Sequence, residues 1–249
     1  MSIRKALTAL GELLVTAGVI VLLFAAYELW GTGVYTSGQQ SDLHSELNRE
    51  WASASAAATA PATAPPGSTA SPSAGATPTA VPGAVPAYDI KHVPLGSGLA
   101  VLRIPKFGSD YDKVIVQGVG TEDLKRGPGH YPGSAFPGDV GNFVVSGHRT
   151  TYGAPFNRID ELRAGDPIVV QTATNWYVYR VTASEIVQPT ATDVVSPVPH
   201  HVGEKATTAL MTLTTCNPKY SAAQRLIVYA TLDATSPSGS PPVTVLAGG

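Results

Sequence analysis

Residues 211–219 read MTLTTCNPK. Threonines among aliphatic residues suit a strand, and alternation along it puts Thr212, Thr214 and Cys216 on one face. Asn217-Pro218 then ends the ladder, because proline has no N–H to contribute. The next apolar run opens with Gln224-Arg225-Leu226-Ile227-Val228. Paired as an antiparallel hairpin around residues 219–222, the two runs bring Arg225 roughly opposite Cys216.

The same signature repeats outward from this hairpin. Runs with strand character occupy 99–104, 113–117, 142–146, 167–171, 176–187, 209–215 and 225–232. They are rich in Val, Tyr and Thr and are punctuated by Gly, Pro and Asn/Asp, the pattern of an all-β domain. Helical stretches are short, at 121–125 and 155–162. A closed or nearly closed barrel is the expected architecture, since closure removes exposed strand edges. This globular region spans 88–235, and 236–249 reads as a flexible tail.

The chain carries 16 Lys+Arg against 18 Asp+Glu, a net charge of −2 with only 14% charged residues. Without a basic block it offers nothing for nucleic acid. A single cysteine excludes an internal disulfide, so Cys216 is either a packed core thiol or a reactive one.

The N-terminal part is organised differently. After a short cytoplasmic N-terminus (1–5), residues 6–30 are apolar apart from Glu12 and Glu28, long enough to span a bilayer core as one helix. Arg4 and Lys5 precede this segment and place the N-terminus in the cytoplasm, while Tyr27 and Trp30 fall at the far interface. The bulky Tyr27-Glu28-Leu29-Trp30 is no signal-peptidase site, so the anchor is expected to stay uncleaved. The expected location is therefore the cell membrane, single-pass, with the domain on the extracellular face. In the juxtamembrane segment 31–51, Leu43, Leu47 and Trp51 recur every four residues. This spacing allows a short helix with its stripe on the membrane face or on the domain, or else a frayed polar stalk. Residues 52–87 use only Ala, Ser, Thr, Pro, Gly and Val. Such a segment is expected to be a disordered tether spanning roughly 35 Å as a coil or about 110 Å when extended, letting the domain sweep a shell outside the membrane.

Residues 142–149, NFVVSGHR, run an apolar strand into Ser-Gly-His. Gly147 permits close backbone approach, and His148 emerges at a strand end, as Cys216 does. A histidine paired with a cysteine can protonate a departing amine and deprotonate an incoming one. A guanidinium beside the thiol can favour thiolate and donate to an oxyanion. Cys216, His148 and Arg225 are therefore the candidate catalytic set.

These motifs resemble the sortases. TLTTC is similar to their TLxTC nucleophile motif, SGHR to their strand-end histidine motif, and Arg225, nine residues after Cys216, to their arginine. The segments GHRTTYGAPF (147–156), RGPGHYPGSAFPGDVGN (126–142) and YELWGTG (27–33) look most like class E sortases of high-GC Gram-positive bacteria. The resemblance implies a closed eight-stranded sortase-type β-barrel with short helices, behind one transmembrane helix and a disordered linker. It implies a cysteine transpeptidase; no cofactor is expected, and no clustered carboxylates argue for the calcium site that some sortases carry. Cys216 would attack the Thr–Gly bond of an LAxTG- or LPxTG-type sorting signal on a secreted protein, forming a thioacyl intermediate. His148 would move the protons, and Arg225 would stabilise the oxyanion. The acyl group would pass to an amine of peptidoglycan or of its lipid-linked precursor. Tyr131, Thr214 and Thr215 would contact the substrate, and the 187–199 stretch would wall its groove. Two other readings differ from this in their marks. An L,D-transpeptidase would carry Ser-His-Gly-Cys where Thr214-Thr215 precede the cysteine here, and an inactive wall-binding module would have lost one of the three catalytic candidates.

Overall fold

A computed structural model describes residues 3–59 and 88–247. Eight strands form the domain: β1 (Gly98–Arg103), β2 (Asp112–Gln117), β3 (Gly129–His130), β4 (Gly141–Ser146), β5 (Pro167–Gln171), β6 (Asn175–Val187), β7 (Ala209–Asn217) and β8 (Gln224–Pro237). They close into a barrel in the order β1-β2-β3-β4-β7-β8-β6-β5, with β5 pairing back on β1. Two of the neighbour pairs, β2–β3 and β4–β7, are parallel. Alternation drives the closure: Phe143 and Val145 of β4, Leu213 of β7 and Val228 of β8 point inward and are fully buried together with Ile115 and Tyr179.

The expected run 155–162 is not a helix. Phe156, Ile159 and Leu162 all enter the core, and this spacing of three suits the 3₁₀ turn found at Ile159–Glu161 better than an α-helix. The one short α-helix inside the domain is α3 (Thr121–Arg126), where one was expected.

The N-terminal segments depart from the tether picture. Helix α1 (Ile3–Ala26) continues through a π-helical turn at Tyr27–Gly31 into α2 (Thr32–Thr59). Among its described residues α1 is unburied, long and apolar enough to cross a membrane. Helix α2 is far longer than the short helix expected, and it lies on the barrel. Leu43, Leu47 and Trp51 pack on Val101, Val114 and Val116, the outward-facing residues of β1 and β2. Burying each leucine contributes roughly 1.5–3 kcal/mol. Polar contacts fix the register. Strand β3 is too short to pair with all of β2, and Gln40 takes its place: Val114 N–H donates to Oε1 at 2.7 Å and Nε2 donates to Val114 O at 3.1 Å. Thr36 Oγ1 donates to Lys125 O at 2.7 Å, and His44 meets Asp112 at 2.9 Å.

Two boundaries shift as a result. The helix extends to Thr59, into the stretch expected to be linker, because the run ASASAAAT is alanine-rich and free of proline. The rest of the expected tether, 60–87, lies outside the described residues. Since α2 docks on the barrel ahead of that stretch, the reach of the domain from α1 is set by the helix and not by the linker. At the other end, the expected tail holds the last residues of β8 and a helical turn, α4 (Val243–Leu246). Val245 and Leu246 pack against Val169, Trp176 and Val178 on the outside of β5 and β6.

Candidate active site

Strand β7 lies between β4 and β8, and its register places the chemistry. Ser146 of β4 pairs with Thr214, and Cys216 pairs with Arg225 of β8, which also faces Val187 of β6. Cys216 therefore ends the central strand of the three, half-buried on the outer face. Just beyond the end of β4, Gly147 turns the chain: its N–H donates to Thr214 O at 3.1 Å, and its carbonyl accepts from Thr215 Oγ1 at 2.7 Å. A side chain at 147 would come within 2.7 Å of the Phe156 ring, so only glycine passes there. This turn delivers His148 to the cleft that Cys216 lines, an open space of about 380 Å³.

His148 is half-buried, its ring 5.1 Å from that of Tyr152. Burial holds its pKa below the usual imidazole value, which keeps the ring neutral at pH 7. Its ring nitrogens have no hydrogen-bond partner among the described residues. Arg225 commits only Nη1, which donates at 2.9 Å to Ala222 O and at 2.9 Å to Gln224 O. Its Nε and Nη2 donors stay uncommitted among the described residues, on the residue paired with the cysteine.

Arg149 was not singled out by sequence, although it directly follows the histidine in SGHR. It is 4% exposed and knits the site together. Nη1 donates to Cys216 O at 3.3 Å and to Asn217 Oδ1 at 3.4 Å, Nε donates to Asn157 O at 3.2 Å, and Nη2 meets Asp160 at 3.1 Å. One guanidinium thus ties the end of the cysteine strand to the loop that follows the histidine. The signal available in sequence was a charged residue at a strand terminus, and the partners that bury it lie far along the chain.

The three substrate-contact candidates sit in different surroundings. Thr215 is 3% exposed with its hydroxyl given to Gly147, and Thr214 is half-buried on the Cys216 face. Tyr131 is 41% exposed and lines a separate groove of about 530 Å³ together with Val195 and Pro197. The loop carrying those two residues is pinned twice. Asn142 Nδ2 donates to Ser196 O at 2.9 Å while Thr212 Oγ1 donates to Asn142 Oδ1 at 2.8 Å. At the outer side, His200 bridges Asp193 and Glu185 at 2.8 and 2.6 Å.

A family profile described as the sortase domain matches residues 102–233, just over half of the chain. The chain is 33% identical to sortase SrtE1 of Streptomyces coelicolor over 89% of its own length, but it spans only 55% of that relative. It is 30% identical to sortase SrtE2 of the same organism, covering 92% of this chain and 82% of the relative. The solved structure of sortase E from Streptomyces avermitilis superposes with a TM-score of 0.56 at 41% identity, covering 62% of this chain and 99% of that one. With the closed eight-stranded barrel these matches agree on one assignment: the chain belongs to the sortase family of cysteine transpeptidases, and its relatives include sortases of class E.

Proposed function

We propose that the chain is a membrane-anchored sortase that joins secreted proteins to the cell wall. Cys216 is the nucleophile. It attacks the Thr–Gly carbonyl of an LAxTG-like signal, the C–N bond breaks, and the protein remains as a thioacyl ester on Sγ. His148 takes the Cys216 thiol proton as the sulfur attacks, passes it to the departing glycine amine, and later takes a proton from the incoming amine of peptidoglycan or its lipid-linked precursor. Arg225 stabilises the oxyanion through the donors that the turn leaves uncommitted. The observation that carries this reading is the cross-strand pair Cys216–Arg225, with His148 lining the cleft on which Cys216 opens.

The substrate contacts fit an extended peptide. Tyr131 N–H donates to Val144 O, and Val144 pairs with Thr212, four residues before Cys216 on β7, a separation of about 13 Å along a strand. That is the length of a four-residue signal, so a threonine at Cys216 places the start of the signal near Tyr131. Thr214 flanks the threonine end, and Thr215 acts on the substrate through Gly147. Helix α1 is the anchor, with its N-terminus cytoplasmic and the barrel outside.

The test uses the full chain in lipid nanodiscs, given an LAxTG peptide and an oligoglycine acceptor. Ligated product from wild type and none from Cys216→Ala supports the assignment. Equal product from both proteins overturns it.

A further inference from the structure

The catalytic cleft is not built from the barrel alone. One of its walls is Glu28, which belongs to the π-helical turn between α1 and α2. In sequence Glu28 is merely an interruption of the apolar run. In the fold it lies where the run ends, half-buried, lining the same cleft as Cys216 and His148. Single π-turns inside helices are frequent at functional sites. This one is accommodated by Gly31, since a Cβ there would come within 2.7 Å of the Tyr27 ring.

The charges around the cleft define what Glu28 can bind. Among the described residues its carboxylate makes no hydrogen bond or ion pair. Arg149 also lines the cleft, but it is buried and already committed to Cys216, Asn217, Asn157 and Asp160. His148 is held neutral at pH 7 by burial. The remaining lining residues are uncharged, namely threonines, serine, alanine, Tyr220 and Cys216. Among the residues that line the cleft the accessible charge is therefore a single negative one, since Arg225, whose guanidinium serves the oxyanion, is not one of them, and its complement is a small cation.

The transpeptidation read above, on which this inference rests, supplies such a cation. The nucleophile is an amine, and free α-amino and alkylamino groups are mostly ammonium at pH 7, with pKa values of about 8 and about 10.4. We propose that Glu28 is the binding residue for the ammonium group of the incoming amine, so that the anchor helix forms part of the acceptor site. The ammonium docks against the Glu28 carboxylate and gives one proton to the neutral His148 ring. The freed amine attacks the thioacyl carbon, the C–N bond forms and the C–S bond breaks. The second amine proton passes to the leaving Cys216 sulfur, restoring the thiol. A carboxylate that holds the ammonium favours capture and does not itself assist deprotonation, so its effect falls on KM for the amine more than on kcat.

The experiment is a competition on the full chain in nanodiscs of zwitterionic lipid. An LAxTG peptide is supplied with triglycinamide and with hydroxylamine, which is uncharged at pH 7, and the amide-to-hydroxamate ratio is read by mass spectrometry. Glu28→Gln is expected to lower that ratio roughly two- to five-fold at low salt, the range for a partly exposed charge pair. Glu28→Asp is expected to fall between the two proteins, and the triglycinamide KM is expected to rise with kcat moving less. Added salt is expected to shrink the wild-type advantage, because such a pair is screened. Equal ratios in wild type and Glu28→Gln overturn this inference alone. No product of either kind from wild type overturns the transpeptidase reading, and this inference with it.

Discussion

The Thr215 hydroxyl donates at 2.7 Å to the carbonyl of Gly147. It joins the residue before the cysteine to the residue before the histidine, so the spacing of these two candidate catalytic groups is held by a buried side chain that touches neither. Thr215→Val keeps the shape, removes the donor and strands a buried carbonyl, which costs about 1–3 kcal/mol. Urea unfolding is expected to show that loss, and peptide cleavage is expected to weaken with it. Thr215→Ser, which retains the hydroxyl, is expected to restore most of both.

Arg149→Lys tests the second brace. A lysine keeps the charge but cannot reach Cys216 O, Asn217, Asn157 and Asp160 from one planar fork. The expected loss is about 2 kcal/mol or more in unfolding free energy, in line with hydrogen bonds to a charged group. A further drop is expected in kcat/KM for the peptide, measured on protein shown by circular dichroism to be folded.

Arg225→Lys is the corresponding test of the oxyanion partner. Losing one well-placed donor to a developing oxyanion costs on the order of 10²–10³ in kcat. Near-normal turnover in a peptide-cleavage assay would remove Arg225 from that role.

Most strands were readable in advance because the runs at β1, β2 and β4–β8 are together rich in Val, Tyr and Thr and are set off by Gly, Pro and Asn/Asp turns. Opposition of Cys216 and Arg225 followed from pairing the two runs as an antiparallel hairpin around 219–222, and the register bears it out. Other features depend on partners distant in sequence. Strand β3 is two residues long and carries no pattern of its own. The parallel pairing of β4 with β7 brings His148 to Cys216, and no local residue encodes it. The stripe Leu43, Leu47, Trp51 was visible, but what it covers depends on β1 and β2 having apolar residues on both faces. Arg149 and Glu28 were missed for one reason: each acquires meaning only from the groups that surround it in the fold.

The β6–β7 loop is expected to respond to pH. His200 hydrogen-bonds to Asp193 and, on its other nitrogen, to Glu185, and these bonds raise its pKa above the ordinary value. Tyr229 completes the cluster, donating to Glu185 at 2.6 Å. A raised folded-state pKa means that the stabilisation is fully present below about 6.5 and is lost as pH rises through the folded value. Hydrogen exchange across residues 188–208, corrected for intrinsic rates, is expected to be slower at about pH 6 than at about pH 8. His200→Gln is expected to abolish that difference.

The docking of α2 yields a prediction about the segment at 60–87. Doubling its length is expected to leave activity toward a membrane-held substrate unchanged, because the barrel is already held by the helix that precedes it. Replacing Leu43 and Leu47 by alanine removes two fully buried side chains at about 2–5 kcal/mol each. Proteolysis of the α2 boundary is expected to speed up sharply in that variant, and lengthening the segment should then begin to matter.

The unbroken passage from α1 into the barrel-docked α2 makes the enzyme resemble a tool head on a shaft. Each residue of helix carries about 1.5 Å of rise and about 100° of turn. One residue inserted or deleted near the π-turn would barely change the distance of the thiol along the helix axis, yet would swing the cleft through more than a quarter of a circle about α1. The face of α1 over which the cysteine sits, more than its distance along the helix axis, is the quantity that this architecture specifies.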